Sequence, residues 1–127
     1  MPSPQRVGCS SFSKLLDAMK TVLVVGRDWK FRALLRAQLR EDGFDALGFE
    51  SLDAAAEVIA RSTPDAIVFD TTGALTAELA ELPALSQKLP LLVVASAGES
   101  LPLPENQILR RPIQLGQVIA ALASRFR

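Results

Sequence analysis

Three short stretches of the chain consist almost entirely of β-branched and other apolar residues. They cover residues 21–25, 66–69 and 91–94, and most of their residues are valine, isoleucine or leucine. Such runs are typical of strands that are covered on both faces, as in a parallel sheet. Two weaker stretches, 44–49 and 108–110, are predicted to add a second and a fifth strand in chain order.

Apolar residues at helical spacing fill most of the intervals between these strands. The spacing predicts helices over 29–41, from Ser51 through residue 60, over 75–82, and from 115 to the end of the chain. Asp28 and Ser51 are expected N-caps, and Gly43 closes the first helix. We expect Pro83 to interrupt the third helix, because proline lacks the backbone N–H that a helix needs.

The alternation of strands and helices predicts an α/β fold. We expect a flavodoxin-like, doubly wound, five-stranded parallel sheet with helices on both faces. The interval between the fourth and fifth strands, residues 96–107, has no helical period and contains Pro102 and Pro104. The helix at this place is therefore predicted to be shortened or missing.

The chain length of 127 residues fits one domain. Residues 1–18 are rich in serine, proline and glycine and are expected to form a poorly ordered extension, which leaves the domain at 19–127. Four apolar residues at the end of this extension and at the start of the domain have helical spacing, which allows a short helix at 12–19. They are Phe12, Leu15, Leu16 and Met19.

Composition narrows the range of functions. Lys and Arg total 14, as do Asp and Glu, and a net charge of zero argues against binding nucleic acid through bulk charge. The chain has no histidine and one cysteine, Cys9, so it lacks the residues for a Ser-His or Cys-His nucleophile, a disulfide within the chain or a thiolate zinc cluster. No apolar stretch suits a membrane span or a signal peptide, so we expect a cytoplasmic protein with no membrane contact.

Candidate functional residues follow from the predicted sheet, because ligands of such sheets bind beyond the carboxyl ends of the strands. The residues at those ends include Gly26, Arg27 and Asp28 after the first strand and Asp70 through Thr72 after the third. Ala95 and Ser96 follow the fourth strand, and Arg111 and Pro112 follow the fifth.

At these residues the sequence resembles the receiver domain of bacterial two-component response regulators. The resemblance covers residues 20–127 and is strongest at PDAIVFD, residues 64–70, and at the pair Arg111-Pro112. It implies that Asp70 is the phospho-acceptor position. It also makes four residues candidates for a phosphate pocket: Arg111, Ser96, Thr72 and Arg27.

The resemblance fails at most of the residues that serve phosphorylation. Gly26 and Arg27 occupy the positions of the acidic pair that helps to bind Mg²⁺ in the family, and Ala95 occupies the position of a Thr or Ser. Arg111 stands where the family has lysine. Because Mg²⁺ needs carboxylate ligands, only Asp28 and Asp70 are weak candidates, and we expect no metal and no cofactor.

Two further predictions concern the contacts that arginine side chains make. Arg27 is expected either to pair with Asp70 in place of a metal or to point to solvent, and Arg111 could approach Asp70 from the other side. Arg32, Arg36 and Arg40 form a stripe on the first helix. This stripe is either a solvated face or a docking surface for a histidine-containing partner.

Three functions compete at this point. The favoured one is a degenerate receiver, not an enzyme, that acts as an interaction module without Mg²⁺-dependent phosphorylation. Its partners would be a histidine kinase, a phosphotransfer protein or an output domain, and a homodimer is compatible with it. The first alternative is a receiver that is phosphorylated on Asp70. The second, a small flavodoxin-like enzyme or nucleotide binder, has less support because the chain lacks a glycine-rich loop and a carboxylate cluster.

Overall fold

Five parallel strands form one sheet in the order β2-β1-β3-β4-β5 in the computed structural model, which describes residues 20–125. The elements follow each other in the predicted order. They are β1 (Thr21–Val25), α1 (Trp29–Glu41), β2 (Asp45–Phe49), α2 (Leu52–Ser62), β3 (Ala66–Asp70), α3 (Thr76–Lys88), β4 (Leu91–Ala95), a 3-10 turn (Glu105–Gln107), β5 (Ile108–Arg110) and α4 (Leu115–Arg125). The extension predicted for residues 1–18, the helical spacing at 12–19 and Cys9 lie outside the described residues.

Alternate side chains of the central strands enter two separate cores. Val22 and Val24 face one core, together with α1 and α4, whereas Leu23 and Val25 face the other, together with α2 and α3. Strands β3 and β4 alternate in the same way. The uninterrupted apolar runs of the sequence therefore reflect a sheet that is covered on both faces, which confirms the predicted doubly wound α/β fold.

The predicted N-caps are present in the structure. The carboxylate of Asp28 accepts hydrogen bonds from the backbone N–H groups of Lys30 and Phe31, and the hydroxyl of Ser51 accepts one from Ala54. Gly43 follows α1 with a φ of 94°, a backbone conformation that favours glycine. These local signals set the helix starts correctly, although α2 runs two residues beyond the predicted end.

The predicted interruption at Pro83 is wrong, because α3 continues through it from Thr76 to Lys88. Leu82, just before the proline, is fully buried, and Leu79 and Leu85 on either side pack against the same core. An interior proline costs a helix about 3 kcal/mol or more. Packing of this apolar stripe on both sides of the proline outweighs that local preference.

The connection from β4 to β5 contains a 3-10 turn in place of a full helix, as the two prolines predict. Arg110 holds this connection. Its guanidinium donates to the backbone carbonyl of Ser96 at 2.9 Å, to that of Glu99, and to the carboxylate of Glu105 at 2.6 Å. The segment is therefore anchored to β5 at both of its ends.

We predict that Val68→Ala lowers the free energy of unfolding by about 1–3 kcal/mol, since truncating a fully buried side chain removes contacts and leaves a cavity. Urea unfolding followed by circular dichroism measures this change. Leu34→Ala is the control, because Leu34 is 60% exposed and its truncation should change the stability by about 0.5 kcal/mol or less. Equal effects of the two substitutions would contradict the assignment of β3 as a central strand.

Candidate functional site

Asp70 lies at the end of β3, and only 1% of its surface is exposed. One carboxylate oxygen, Oδ1, is 2.9 Å from Nη2 of Arg111 and accepts a hydrogen bond from the backbone N–H of Thr72 at 3.1 Å. The other oxygen, Oδ2, is buried without a hydrogen-bond partner. A buried carboxylate is costly unless it is paired, so Arg111 supplies the charge that Asp70 needs.

Two further contacts hold Arg111 beside Asp70. Its backbone N–H donates to the carbonyl of Ala95 at 2.8 Å, which ties it to the end of β4. Its guanidinium carbon lies 5.1 Å from the centre of the Phe31 ring, a cation–π contact with α1. The guanidinium therefore contacts both an aromatic ring and the carboxylate, with 29% of the side chain exposed.

Arg27 takes neither of its two predicted positions. Its guanidinium neither pairs with Asp70 nor projects freely into solvent, but forms an ion pair with Glu78 at the start of α3. The physical reason is the alternation of side chains at the end of β1. Val25 faces the α2 and α3 side of the sheet, and Arg27, two residues later, continues to that side, where Glu78 is buried.

Glu78 connects three segments of the chain. Oε1 accepts from the backbone N–H of Leu75 at 3.0 Å and from Arg27, and Oε2 accepts from the backbone N–H of Leu52 at 2.9 Å. Burial by itself would raise the pKa of Glu78, but the two backbone N–H groups and the charge of Arg27 together hold that pKa below the ordinary value of 4.5. One carboxylate thus joins the starts of α2 and α3 to the end of β1.

Mg²⁺, the metal that the receiver fold implies, does not fit the residues beside Asp70. A Cβ atom at Gly26 would lie 2.8 Å from Cβ of Asp70, so this position has no room for a carboxylate unless the backbone moves. Asp28 caps α1, and Glu78 is already occupied by Arg27 and two backbone donors. Within residues 20–125, no group of three or more Asp, Glu, Cys or His side chains is arranged to hold a metal ion.

Thr72 and Ser96, the two remaining pocket candidates, lie at the same edge of the sheet, and their role in a phosphate pocket stays a prediction. Thr72 is exposed and contacts Asp70 through its backbone N–H alone, and Ser96 is exposed with its backbone N–H donated to Glu99. The buried hydroxyl near this end of the sheet belongs to Thr71, and it donates to the Glu99 carboxylate at 2.7 Å. No hydroxyl of these three residues donates to Asp70.

The arginine stripe of α1 lies across the edge strand β2. Arg36 and Arg40 donate to the backbone carbonyl of Ala46, and Arg32 donates to that of Gly26. Gly48 makes room for them, because a Cβ there would lie 2.7 Å from Cδ of Arg36. Arg32 and Arg36 are half-buried and Arg40 is exposed, so the stripe is only partly solvated, and a docking role for it stays a prediction.

Sequence reasoning missed Glu78 and the second role of Phe31. A glutamate at the third position of a helix is the signal of a capping box, but the N-cap here is Leu75, not serine or threonine, which conceals the pattern. Phe31 belongs to the apolar stripe of α1 and gives no separate signal for its contact with Arg111. Both contacts depend on elements that are distant in sequence.

Comparisons with known proteins agree with this architecture. No family profile and no curated protein matches the chain. Its structure is similar to a response regulator receiver protein from Sinorhizobium medicae, with a TM-score of 0.73 and 17% identity over 85% of this chain and 94% of that one. It is also similar to a Francisella response regulator receiver domain, with a TM-score of 0.68 and 18% identity over 84% of this chain and 96% of that one.

A third similar structure is the receiver domain of a Brucella abortus protein, with a TM-score of 0.63 and 19% identity over 83% of this chain and 96% of that one. The chain therefore has the receiver fold, as its sequence predicts. No helix within the part of the chain that the structure describes is long and apolar enough to cross a bilayer.

We predict that Glu78→Gln lowers the free energy of unfolding at neutral pH by about 1.5–3 kcal/mol, the range for hydrogen bonds to a charged group. Because the pKa of Glu78 is lowered in the folded protein, its contribution is complete above the unfolded pKa and is lost as the pH falls through the folded value. The difference between the two proteins should therefore narrow on acidification below about pH 5.

Urea unfolding over a series of pH values tests this expectation. Glu81→Gln is the matched control, because Glu81 lies exposed on the same helix, and it should leave the stability unchanged throughout. A Glu78→Gln difference that is independent of pH would show that the charge of Glu78 has no part in joining the three segments.

Proposed function

We propose that this chain is an atypical receiver domain of two-component signal transduction. In this proposal it is a protein-interaction module, not an enzyme, and it works without Mg²⁺-dependent phosphorylation of Asp70. The observation that carries the proposal is the buried pair of Asp70 and Arg111. The arginine supplies beside this carboxylate the positive charge that a metal ion would otherwise supply.

The chemistry of phosphoryl transfer supports the proposal. A carboxylate and a phosphoryl donor are both negatively charged, so the reaction depends on a cation that bridges their oxygens and neutralises the developing charge. The acids that could recruit such a cation are missing at Gly26 and Arg27, and Glu78 is taken by other donors. Arg111 pairs with Asp70 itself, and its guanidinium also contacts the ring of Phe31.

Access to Asp70 supports the proposal as well. Only 1% of the residue is exposed, and the unpartnered oxygen Oδ2 is also buried. A donor would have to displace the guanidinium of Arg111, which is held by the Ala95 carbonyl and the Phe31 ring. Such a displacement would leave the Asp70 charge buried without its partner, which is strongly destabilising.

The usual means of relaying a phosphorylation signal are also altered. Switches of this kind work when a new charge draws neighbouring groups toward it and biases a two-state element. Ala95 offers no hydroxyl at the end of β4, and the hydroxyl of Thr71 is already donated to Glu99. The connection from residue 96 to 107 has only a 3-10 turn and is anchored by Arg110.

In this proposal the domain meets its partners in a single resting conformation. The partner would be a signalling protein such as a histidine kinase, a phosphotransfer protein or an output domain, in the cytoplasm, and a second copy of the chain is also compatible. The arginine stripe of α1 is the proposed docking surface, where Arg40 is exposed beside the half-buried Arg36 and Arg32.

We predict that acetyl phosphate with Mg²⁺ adds no phosphoryl group to the protein, because no cation-binding acids accompany Asp70. Intact-mass spectrometry measures the modification, and size-exclusion chromatography in the same buffer measures oligomeric state. Beryllofluoride treatment should likewise leave the elution unchanged. A stoichiometric phosphoryl gain that is lost in Asp70→Asn and accompanied by a shifted elution would replace our proposal with the alternative, a receiver phosphorylated on Asp70.

We also predict that Arg27→Asp confers Mg²⁺ binding that the natural protein lacks. The substitution places a carboxylate beside Glu78 and removes the cation that occupies Glu78, so that two acids face the same side of the sheet. Isothermal titration calorimetry measures the binding. Arg27→Gln is the matched control, since it removes the same charge without adding a carboxylate, and it should not bind. Saturable Mg²⁺ binding by the natural protein that disappears in Asp70→Asn would contradict the proposal.

A further inference from the structure

We infer that Arg36 and Arg40 close the free edge of β2 against pairing with a strand of a second copy of the chain. The inference does not depend on the proposed function, because it concerns contacts within the domain itself. It follows from three observations: the outer side of an edge strand, the two guanidinium groups that lie on it, and the glycine that allows them to reach it.

β2 is an edge strand, with β1 on one side and no strand of the described sheet on the other. The backbone N–H of Asp45 and the carbonyl of Phe49 both form hydrogen bonds with the β1 segment, so the odd-numbered residues of β2 face β1. Peptide groups along a strand point alternately to its two sides, and those of Ala46 and Gly48 therefore point away from the sheet. Outward peptide groups of this kind are a template for another strand.

Two arginines of α1 cover this outer side. Nε of Arg36 donates to the carbonyl oxygen of Ala46 at 3.4 Å, and Nη2 of Arg40 donates to the same oxygen at 3.1 Å. Ala46 has no exposed surface even though it belongs to an edge strand. The two guanidinium groups therefore occupy the place from which an added strand would donate its own N–H groups to β2.

Gly48 allows the arginine side chains to cross β2. A Cβ atom at this position would lie 2.7 Å from Cδ of Arg36 and 3.3 Å from Cδ of Arg32, so a larger residue would push the arginines away. The apolar stems of the arginines thus lie over the backbone of β2, and the charged ends of Arg36 and Arg40 reach its outer side.

The charge of the two guanidinium groups makes the cover effective. Among residues 20–125, neither Arg36 nor Arg40 forms an ion pair with a carboxylate. An added strand would have to displace both cations or bury them beside its own backbone, and burial of an unpaired charge is costly. β2 contains neither lysine nor proline, the residues that often protect an edge, so its protection comes from α1.

The opposite edge of the sheet differs in the length of its strand. β5 has three residues, whereas β2 has five, and a very short edge strand offers few peptide groups for pairing. The edge that is long enough to accept another strand is therefore the edge that the arginines cover.

Replacing both arginines tests the inference in the full chain. In Arg36→Ala/Arg40→Ala we expect self-association that increases with protein concentration, seen in sedimentation velocity as a shift to larger species than the natural protein forms. The matched control is Lys30→Ala/Arg61→Ala, which removes two positive charges from exposed residues of α1 and α2. This control should sediment as the natural protein does.

Amide hydrogen exchange at single residues shows whether β2 is the surface involved. In the associated double variant, the amides of Ala46 and Gly48 should exchange more slowly than in the natural protein, because each gains a partner on the added strand. The amides of Leu47 and Phe49 face β1 in both proteins and should keep their protection, which shows that the fold is retained.

A single substitution provides a milder second test. Arg40 is the exposed member of the pair, so Arg40→Ala leaves the packing of the domain intact. It should produce the same slowing at Ala46 and Gly48, but at a higher protein concentration, because Arg36 still covers part of the edge.

Three results would overturn the inference. The first is sedimentation of both arginine variants that matches the natural protein at every concentration. The second is equal association of the Lys30→Ala/Arg61→Ala control, which would show that loss of charge alone is responsible. The third is association without slower exchange at Ala46 and Gly48, which would place the contact on another surface.

Discussion

The ion pair between Asp70 and Arg111 is the constraint on which the carboxyl end of the sheet depends. A carboxylate that is 1% exposed needs a partner charge, and the structure supplies it from the residue that follows β5. The same arginine is fixed by the carbonyl of Ala95 and by the ring of Phe31. One contact therefore connects the ends of three strands to α1, and in our proposal it keeps the site in a single state.

A second ion pair, between Glu78 and Arg27, lies near the same edge of the sheet. Glu78 takes the charge of Arg27 and two backbone N–H groups, so Arg27 lies away from Asp70. The two acids and two arginines thus form two separate pairs, one for each acid. The arrangement satisfies charges that would otherwise be buried alone, and within residues 20–125 it leaves no cluster of three or more acids for a cation.

The fold was predictable from the sequence because both faces of the sheet are covered, which turns the central strands into uninterrupted apolar runs. The position of Asp70 at the end of β3 followed from the same pattern. The partner of Arg27 did not, because it required knowing which face of the sheet α3 covers. The continuity of α3 through Pro83 was not predictable from the sequence either. It depends on tertiary packing, which outweighs the tendency of proline to end a helix.

A crystal structure of the protein grown with Mg²⁺ and beryllofluoride tests the central claim most directly. Our account predicts that the guanidinium of Arg111 stays beside Oδ1 of Asp70, and that neither ion occupies the end of β3. Beryllofluoride on the Asp70 carboxylate, with Mg²⁺ beside it and Arg111 displaced, would contradict the account and show that the site binds a phosphoryl group as phosphorylated receivers do.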